Sequence, residues 1–245
     1  MQKKFMLAAE NGVYLKNNLK IITILFTMVL IAVDSKAKDG WEIAFNLGTT
    51  ISKNETLTIK QNGYPDIVLN DADFKTKPFT SPLYYGLRIS KWNSNRAWEF
   101  EHLHQKIYID DLPSDVQHFE VTDGYNLFYV NHAWNLAAYG IITRVGAGFV
   151  VAHPDLTVRG EDTHITGGGA IPMIWDTDSG YQWAGLSAQV AVEKEFQIHE
   201  NWYTSIEGKL THSSANIDLV NDSGSVKVPN TALHLHFGIK YNFNK

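Results

Sequence analysis

The chain has 245 residues, 44% of them hydrophobic, with 21 basic and 26 acidic side chains, 18 glycines and no cysteine. That length suffices for one domain with a real core or one closed barrel, and a formal net charge of −5 with scattered Lys and Arg gives no basic footprint for nucleic acid. Zero cysteine excludes disulfides, a thiolate nucleophile and Cys-ligated zinc or iron–sulfur sites, so any metal must be held by His and carboxylates.

Lys16 and Lys20 precede an uninterrupted apolar run, Ile21 to Val33, and Ser35-Lys36-Ala37 puts small residues where a signal peptidase reads. The run of 13 residues falls short of the ~20 that span a bilayer as a helix. Residues 1–37 therefore read as a secretory signal peptide, and 38–245 as a single domain with a net charge of about −8. No later segment is long and apolar enough for a transmembrane helix.

Beyond residue 37 the pattern alternates with period two, so strands are expected and amphipathic helices are not. Eight can be drawn: Trp41 to Thr50, Leu83 to Lys91, Ala97 to Ile109, Asp123 to Trp134, Tyr139 to Val151, Trp183 to Phe196, Trp202 to Thr211, and Ala232 to Phe243. In the last, Leu233, Leu235, Phe237, Ile239, Tyr241 and Phe243 form one apolar face, and the other carries His234, His236, Lys240 and Asn242. Parity in the fourth is open, because Asp123, Tyr125, Leu127 and Tyr129 compete with Asn126, Phe128 and Val130 for the apolar side. Tight turns are expected at 93–95, 135–137 and 199–201. Residues 51–82, 110–122, 152–180 and 216–230 read as long loops.

Short turns and both termini at one end, with long loops at the other, predict an all-β fold: an eight-stranded antiparallel up-and-down transmembrane barrel of the bacterial outer-membrane type, its long loops extracellular. Closure pairs every backbone group that hydrocarbon would leave unsatisfied. A barrel this narrow is filled by side chains, here Arg88, Glu99, Glu101, Arg144, Gln189, Glu193, Glu207, Lys209, His234, His236 and Lys240. Charges of both signs must pair there to be tolerated. Gly86, Gly146, Gly148, Gly185 and Gly238 make room for them, and Trp41, Trp98, Trp134, Trp183 and Trp202 fall near strand ends, where aromatic girdles lie. The soluble alternative, a lipocalin-like barrel, would put apolar residues inside. The closing aromatic, Phe243, stands two residues before the end. The partners this implies are outer-membrane lipid, lipopolysaccharide and the barrel assembly machinery, with no nucleic acid.

Three constellations carry chemistry. Glu101 and Glu207 face a narrow lumen from different sides with His234 and His236, a plausible imidazole–carboxylate set for a first-row metal or for acid–base work; the bland alternative is a packed ion network. His102 and His104 share the parity of Trp98 and Phe100, outward, where lipid headgroups would meet them. His212 and Ser214 lie two apart on one face, the spacing a base and a nucleophile use from a strand. That pair resembles the His-x-Ser of the lipid A 3-O-deacylases, which also need an acid about where Val226 and Lys227 stand.

A broader resemblance runs from Pro82 to Phe243. Tyr84-Tyr85-Gly86-Leu87-Arg88, Trp98-Glu99-Phe100-Glu101 with His104, Lys106 and Tyr108, Val121-Thr122-Asp123-Gly124-Tyr125-Asn126, Val145-Gly146-Ala147-Gly148 with His153 and Pro154, Glu207, Thr211 and Asn230-Thr231-Ala232-Leu233 resemble the rhizobial lipid A oxidase family of small outer-membrane barrels. The resemblance implies oxygen-dependent oxidation of the proximal glucosamine of lipid A. Lys106 and Arg159 would contact phosphate or glycosyl oxygens, and His104 with Glu101 or Asp123 would take the hydroxyl proton. A divalent metal would activate molecular oxygen, with His102, His104, His234 and His236 as candidate ligands. Glu101 and His104 have opposite parity and cannot serve together unless a bulge intervenes. The competing class is non-enzymatic: a structural or adhesive surface barrel.

Overall fold

The computed structural model describes residues 38–162, 180–220 and 223–243; the expected signal peptide lies outside them. Eight strands make the wall: β1 (Gly40–Ser52), β4 (Tyr85–Asn93), β5 (Arg96–Tyr108), β6 (Val116–Leu136), β7 (Ile141–Ala152), β10 (Gln182–His199), β11 (Trp202–Asp218) and β12 (Gly224–Asn242). They pair in that order, all antiparallel, and β1 returns to β12 from Glu42 opposite Asn242 to Ser52 opposite Ala232, which closes the ring. A hairpin of β2 (Glu55–Gln61) and β3 (Ile67–Ala72) adds to the upper end of β12, and β8 (Asp155–Val158) with β9 (Glu161–Asp162) adds to the upper end of β6.

The eight expected strands are the eight of the wall, and the three tight turns join the expected pairs. What differs is length. β6, β11 and β12 run on through 116–122, 216–218 and 224–230, which read as loops, and 51–82 contains the β2–β3 hairpin. The reason is a change in side-chain polarity partway up each strand. Low on β11, Ile206 and Leu210 point out while Ser205, Glu207 and Lys209 are buried; higher up, His212, Ser214, Asn216 and Asp218 point out while Ala215 and Ile217 are buried. β12 does the same, with Leu233, Phe237 and Ile239 outside low down and Val226 and Val228 inside high up.

The lower outside is therefore an apolar belt. Trp41, Ile43, Phe45, Leu47, Leu87, Ile89, Phe100, Val130, Val145, Val190, Val192, Leu210, Leu233, Phe237 and Ile239 are all substantially exposed. Leaving such a belt in water would forgo about 25 cal/mol for each Å² of apolar surface, and water-soluble monomers do not carry patches this large. It is the lipid-facing band of a transmembrane barrel. Above it the interior is an apolar core of Leu57, Ile59, Phe74, Leu103, Ile107, Phe119, Val121, Leu127, Val150, Leu156, Val158 and Ile217, to which both added hairpins contribute.

This change also fixes the parity of β6. Tyr125, Leu127 and Tyr129 turn inward and are buried, because at their height the lumen passes from ionic to apolar; Phe128 and Val130 face lipid. Two of the expected interior glycines make room for side chains, since a Cβ at Gly146 would collide with the Asn131 carboxamide and one at Gly238 with that of Asn46; at Gly148 and Gly185 it would meet the backbone of the neighbouring strand instead.

Candidate functional site

At membrane depth the lumen is filled by ion pairs. Among the described residues five cations (Lys38, Arg88, Arg144, Lys209, Lys240) meet six carboxylates (Glu42, Glu99, Glu101, Glu193, Glu195, Glu207), every one buried. Arg88 donates to Glu207 Oε2 at 2.8 Å and Glu193 Oε2 at 2.6 Å, and Arg144 to Glu99 Oε2 at 2.9 Å and to Glu207. Lys209 donates to Glu101, which also accepts from Gln189 at 2.7 Å and Asn131 at 3.0 Å. Lys240 bridges Glu193, Glu195 and Glu42, and Lys38 closes the lower end on Glu195 and Glu42 at 2.5 and 2.6 Å. Arg88 with Glu193 and Lys209 with Glu101 join strands well apart in the ring, while Lys240 and Lys38 pair with Glu42 at the β1–β12 seam, so a single polar stack ties the wall across its axis.

Over this stack lies a layer of neutral hydrogen bonds. Tyr84 Oη sits 2.7 Å from His234 Nδ1 and 2.6 Å from His236 Nε2; Thr211 Oγ1 is 2.8 Å from His234 Nε2, and His236 Nδ1 is 3.3 Å from Glu207. Tyr125 reaches Ser213 at 2.8 Å, Tyr129 reaches Ser187 at 2.6 Å, and Gln105 donates to Asn230 at 3.0 Å. The apolar core follows. Ionic plug, neutral layer and apolar cap leave these groups without solvent exposure.

The structure thus brings Glu101 and Glu207 together through Arg88 and Lys209, and His234 and His236 through Tyr84. His102 and His104 stand on the other side of the wall. The bulge in the β5–β6 pairing falls between Gln105 and Ile107, above His104, so it leaves Glu101 inward and His104 outward. Among the described residues no three His, Asp or Glu side chains converge as a metal site. The described residues therefore assemble no three-ligand set for a divalent ion. The Asp123 side chain lies outside the described ones.

The outward pair forms a cluster of its own. Asn126 Oδ1 lies 2.9 Å from His102 Nε2 and 3.0 Å from His104 Nδ1. Tyr85 stacks on His104 with centroids 5.2 Å apart and meets His102 edge-on at 5.6 Å, while Phe128 stacks on His102 at 4.5 Å. Gly124, at φ 128°, is what lets the Asn126 carboxamide fit: a Cβ there would overlap it. By strand rise His102 is roughly 13 Å along β5 from Trp98, within the apolar belt. Residues 73–84, between β3 and β4, roof the upper side. Lys106 Nζ donates to the Thr80 carbonyl at 2.7 Å, Lys77 lies over the Tyr108 ring at 4.1 Å, and Lys75 pairs with Tyr108 through the backbone. A hydrogen bond to Asp73 raises the Lys75 pKa above its ordinary value.

Arg159 is far from this cluster. It clasps the head, donating to Gln61 Oε1 at 2.9 Å and to the Pro65 carbonyl at 2.8 Å, with its guanidinium 4.7 Å from the Tyr64 ring. His212 and Ser214 line an outward cleft of about 460 Å³ with Glu55, Asn70, Lys53 and Lys227. Pairing of β2 with β12 brings Glu55 to its edge from a distant segment, with one carboxylate oxygen buried on the inward side shared with Leu57 and Ile59. His212 Nδ1 is 2.8 Å from Thr231 Oγ1. The sequence reading also missed Asn126 as the centre of the histidine cluster; its signal was the Gly124-x-Asn126 spacing at the bulge.

A closed eight-stranded wall, an ionic lumen and an apolar belt define an integral β-barrel of the bacterial outer membrane. No protein-family model matches the chain, and no curated protein is similar to it. Among solved structures it is similar to the outer membrane protein AlkL, determined in DMPC lipid bilayers, at 17% identity over 87% of this chain and 95% of that one, with a TM-score of 0.50. OprG of Pseudomonas aeruginosa matches at 12% identity (84% of this chain, 98% of that one, TM-score 0.43), and the attachment invasion locus protein Ail of Yersinia pestis at 10% (83% and 100%, TM-score 0.43).

Proposed function

We propose that this barrel engages lipid A, the lipid end of lipopolysaccharide, on its outer wall at the His102–Asn126–His104 cluster. The observation that carries the reading is polarity in the wrong place. Two imidazoles and a carboxamide sit on the outward side of the wall within a belt of apolar side chains, His102 part-exposed and His104 and Asn126 buried behind it, where an unneeded polar group is costly and an ionisable one is a functional candidate by default. Part-exposed Tyr85 and Phe128 give the face of a sugar ring an aromatic surface, and His102 offers an imidazole that His104 and Asn126 back from behind. The filled lumen supports a wall site over a channel. The resemblance to lipid A oxidases supports the same substrate; oxidation of the proximal glucosamine is the finer reading. No step is assigned to a metal, since the described residues assemble no ligand set for one.

A second reading, release of an ester-linked acyl chain, is favoured by the outward cleft that His212 and Ser214 both line. Mass spectrometry of lipid A from cells with and without the protein, grown in air and anaerobically, separates the two. Gain of one oxygen atom that requires air and is lost in His102→Ala or His104→Ala supports oxidation at the wall. Loss of a hydroxyacyl chain, abolished in Ser214→Ala, supports hydrolysis in the cleft. Unmodified lipid A in both atmospheres overturns either activity. Binding is then read from lipid A retained by the purified barrel, and retention unchanged in His102→Ala/Asn126→Ala overturns the wall site itself.

A further inference from the structure

The short-turn rim carries a second cluster of polar side chains. Beside the β4–β5 turn an outward cavity of about 690 Å³ is lined by Lys91, Asn93, Ser94, Arg96, Trp98 and His132. This is the short-turn end: Asn95 N–H donates to the Lys38 carbonyl at 3.2 Å, and Phe243 N–H to the Trp41 carbonyl at 2.7 Å, so both ends of the described chain gather here. In outer-membrane barrels that end faces the periplasm, where the leaflet is glycerophospholipid.

The charges at this cavity differ from those of the lumen. Each lumenal cation is held by carboxylates, whereas among the described residues no carboxylate pairs with Lys91 or Arg96. Lys91 Nζ rests 5.1 Å from the Trp41 ring centroid, and Asp39, the acid at this turn, accepts the Ser94 N–H at 2.8 Å. His132 is wedged between Trp98 and Trp134, at 5.0 and 4.4 Å, and its Nδ1 is buried with no hydrogen-bond partner. Directly above on the same faces, Ile89 and Phe100 are half exposed and apolar. Cations without a carboxylate partner among the described residues, a part-exposed imidazole lining the same cavity and an adjoining apolar wall match an amphiphile that has an anionic head.

We propose that this cavity seats the phosphodiester headgroup of an anionic glycerophospholipid, with Lys91 and Arg96 on the phosphate, His132 as a hydrogen-bonding group and the acyl chains along Ile89 and Phe100. It rests on the membrane reading of the fold and is independent of the lipid A site. The test is native mass spectrometry of the refolded barrel from micelles doped with phosphatidylglycerol, phosphatidylethanolamine or phosphatidylcholine of matched chains. Phosphatidylglycerol should be retained in preference to phosphatidylcholine, and Lys91→Gln/Arg96→Gln should weaken retention roughly five-fold per charge removed. The charge-keeping Lys91→Arg/Arg96→Lys should preserve it, as should Lys53→Gln/Lys227→Gln at the far rim. Equal retention of all three lipids, or a loss caused by the far-rim variant instead, would overturn the assignment.

Discussion

The lower wall and the upper head of this barrel are made from the same strands and obey opposite rules. Below, apolar side chains face out and ion pairs fill the centre; above, Asn216, Asp218 and Lys227 face out and Ile217, Val226 and Val228 fill the centre. The strand period stays at two throughout; only the solvent changes. Lipid tails accept the apolar face and make any unpaired interior charge costly, whereas water accepts the polar face and drives apolar side chains inward. A single chain can thus be a membrane protein and a soluble one along its own length, with a layer of Tyr, His, Ser and Asn hydrogen bonds at the join.

The largest effect should come from the ionic plug. Arg88→Ala leaves Glu193 and Glu207 short of a partner in a buried site, and unfolding in detergent–urea mixtures should show a loss of about 3–5 kcal/mol. A loss below ~1 kcal/mol would mean that water reaches those carboxylates. Next comes one substitution placed in both regions. Leu210→Lys in the belt should cost about 2–4 kcal/mol, while Asn216→Lys, three outward positions higher on β11, should stay within ~0.5 kcal/mol. Equal costs would erase the boundary between the regions. The smallest effect belongs to the head: Ile59→Val should cost about 1 kcal/mol, and hydrogen exchange should quicken in the β2–β3 hairpin while the lower wall is unchanged.

How much of this could be read from sequence follows from the same contrast. The belt and the ionic interior were legible because charges of both signs alternate with apolar residues at Glu99 and Glu101, Glu193 and Glu195, Glu207 and Lys209. The strand tops were not, since a search for apolar-out, polar-in alternation fails where the order reverses, and Asn216 to Asn230 then looks like loop. β6 was ambiguous for a related cause: Tyr125, Leu127 and Tyr129 are as apolar as their neighbours because they cross from the plug to the cap. Parity alone separated Glu101 from His104. The Asn126 bridge between two imidazoles, the hold of Lys106 on Thr80 and the cleft that the β2–β3 hairpin makes beside His212 depend on a bulge, a roof and a hairpin, none of which leaves a local pattern.

The most direct test uses the absence of native cysteine. Single cysteines at Leu210 and Asn216, spin-labelled in the bilayer-reconstituted protein, should report opposite collision partners. The label at 210 should meet membrane-dissolved oxygen and be shielded from a water-soluble nickel chelate, and the label at 216 should do the reverse. A label at 210 that collides freely with the chelate would contradict the lipid-facing belt and the account built on it.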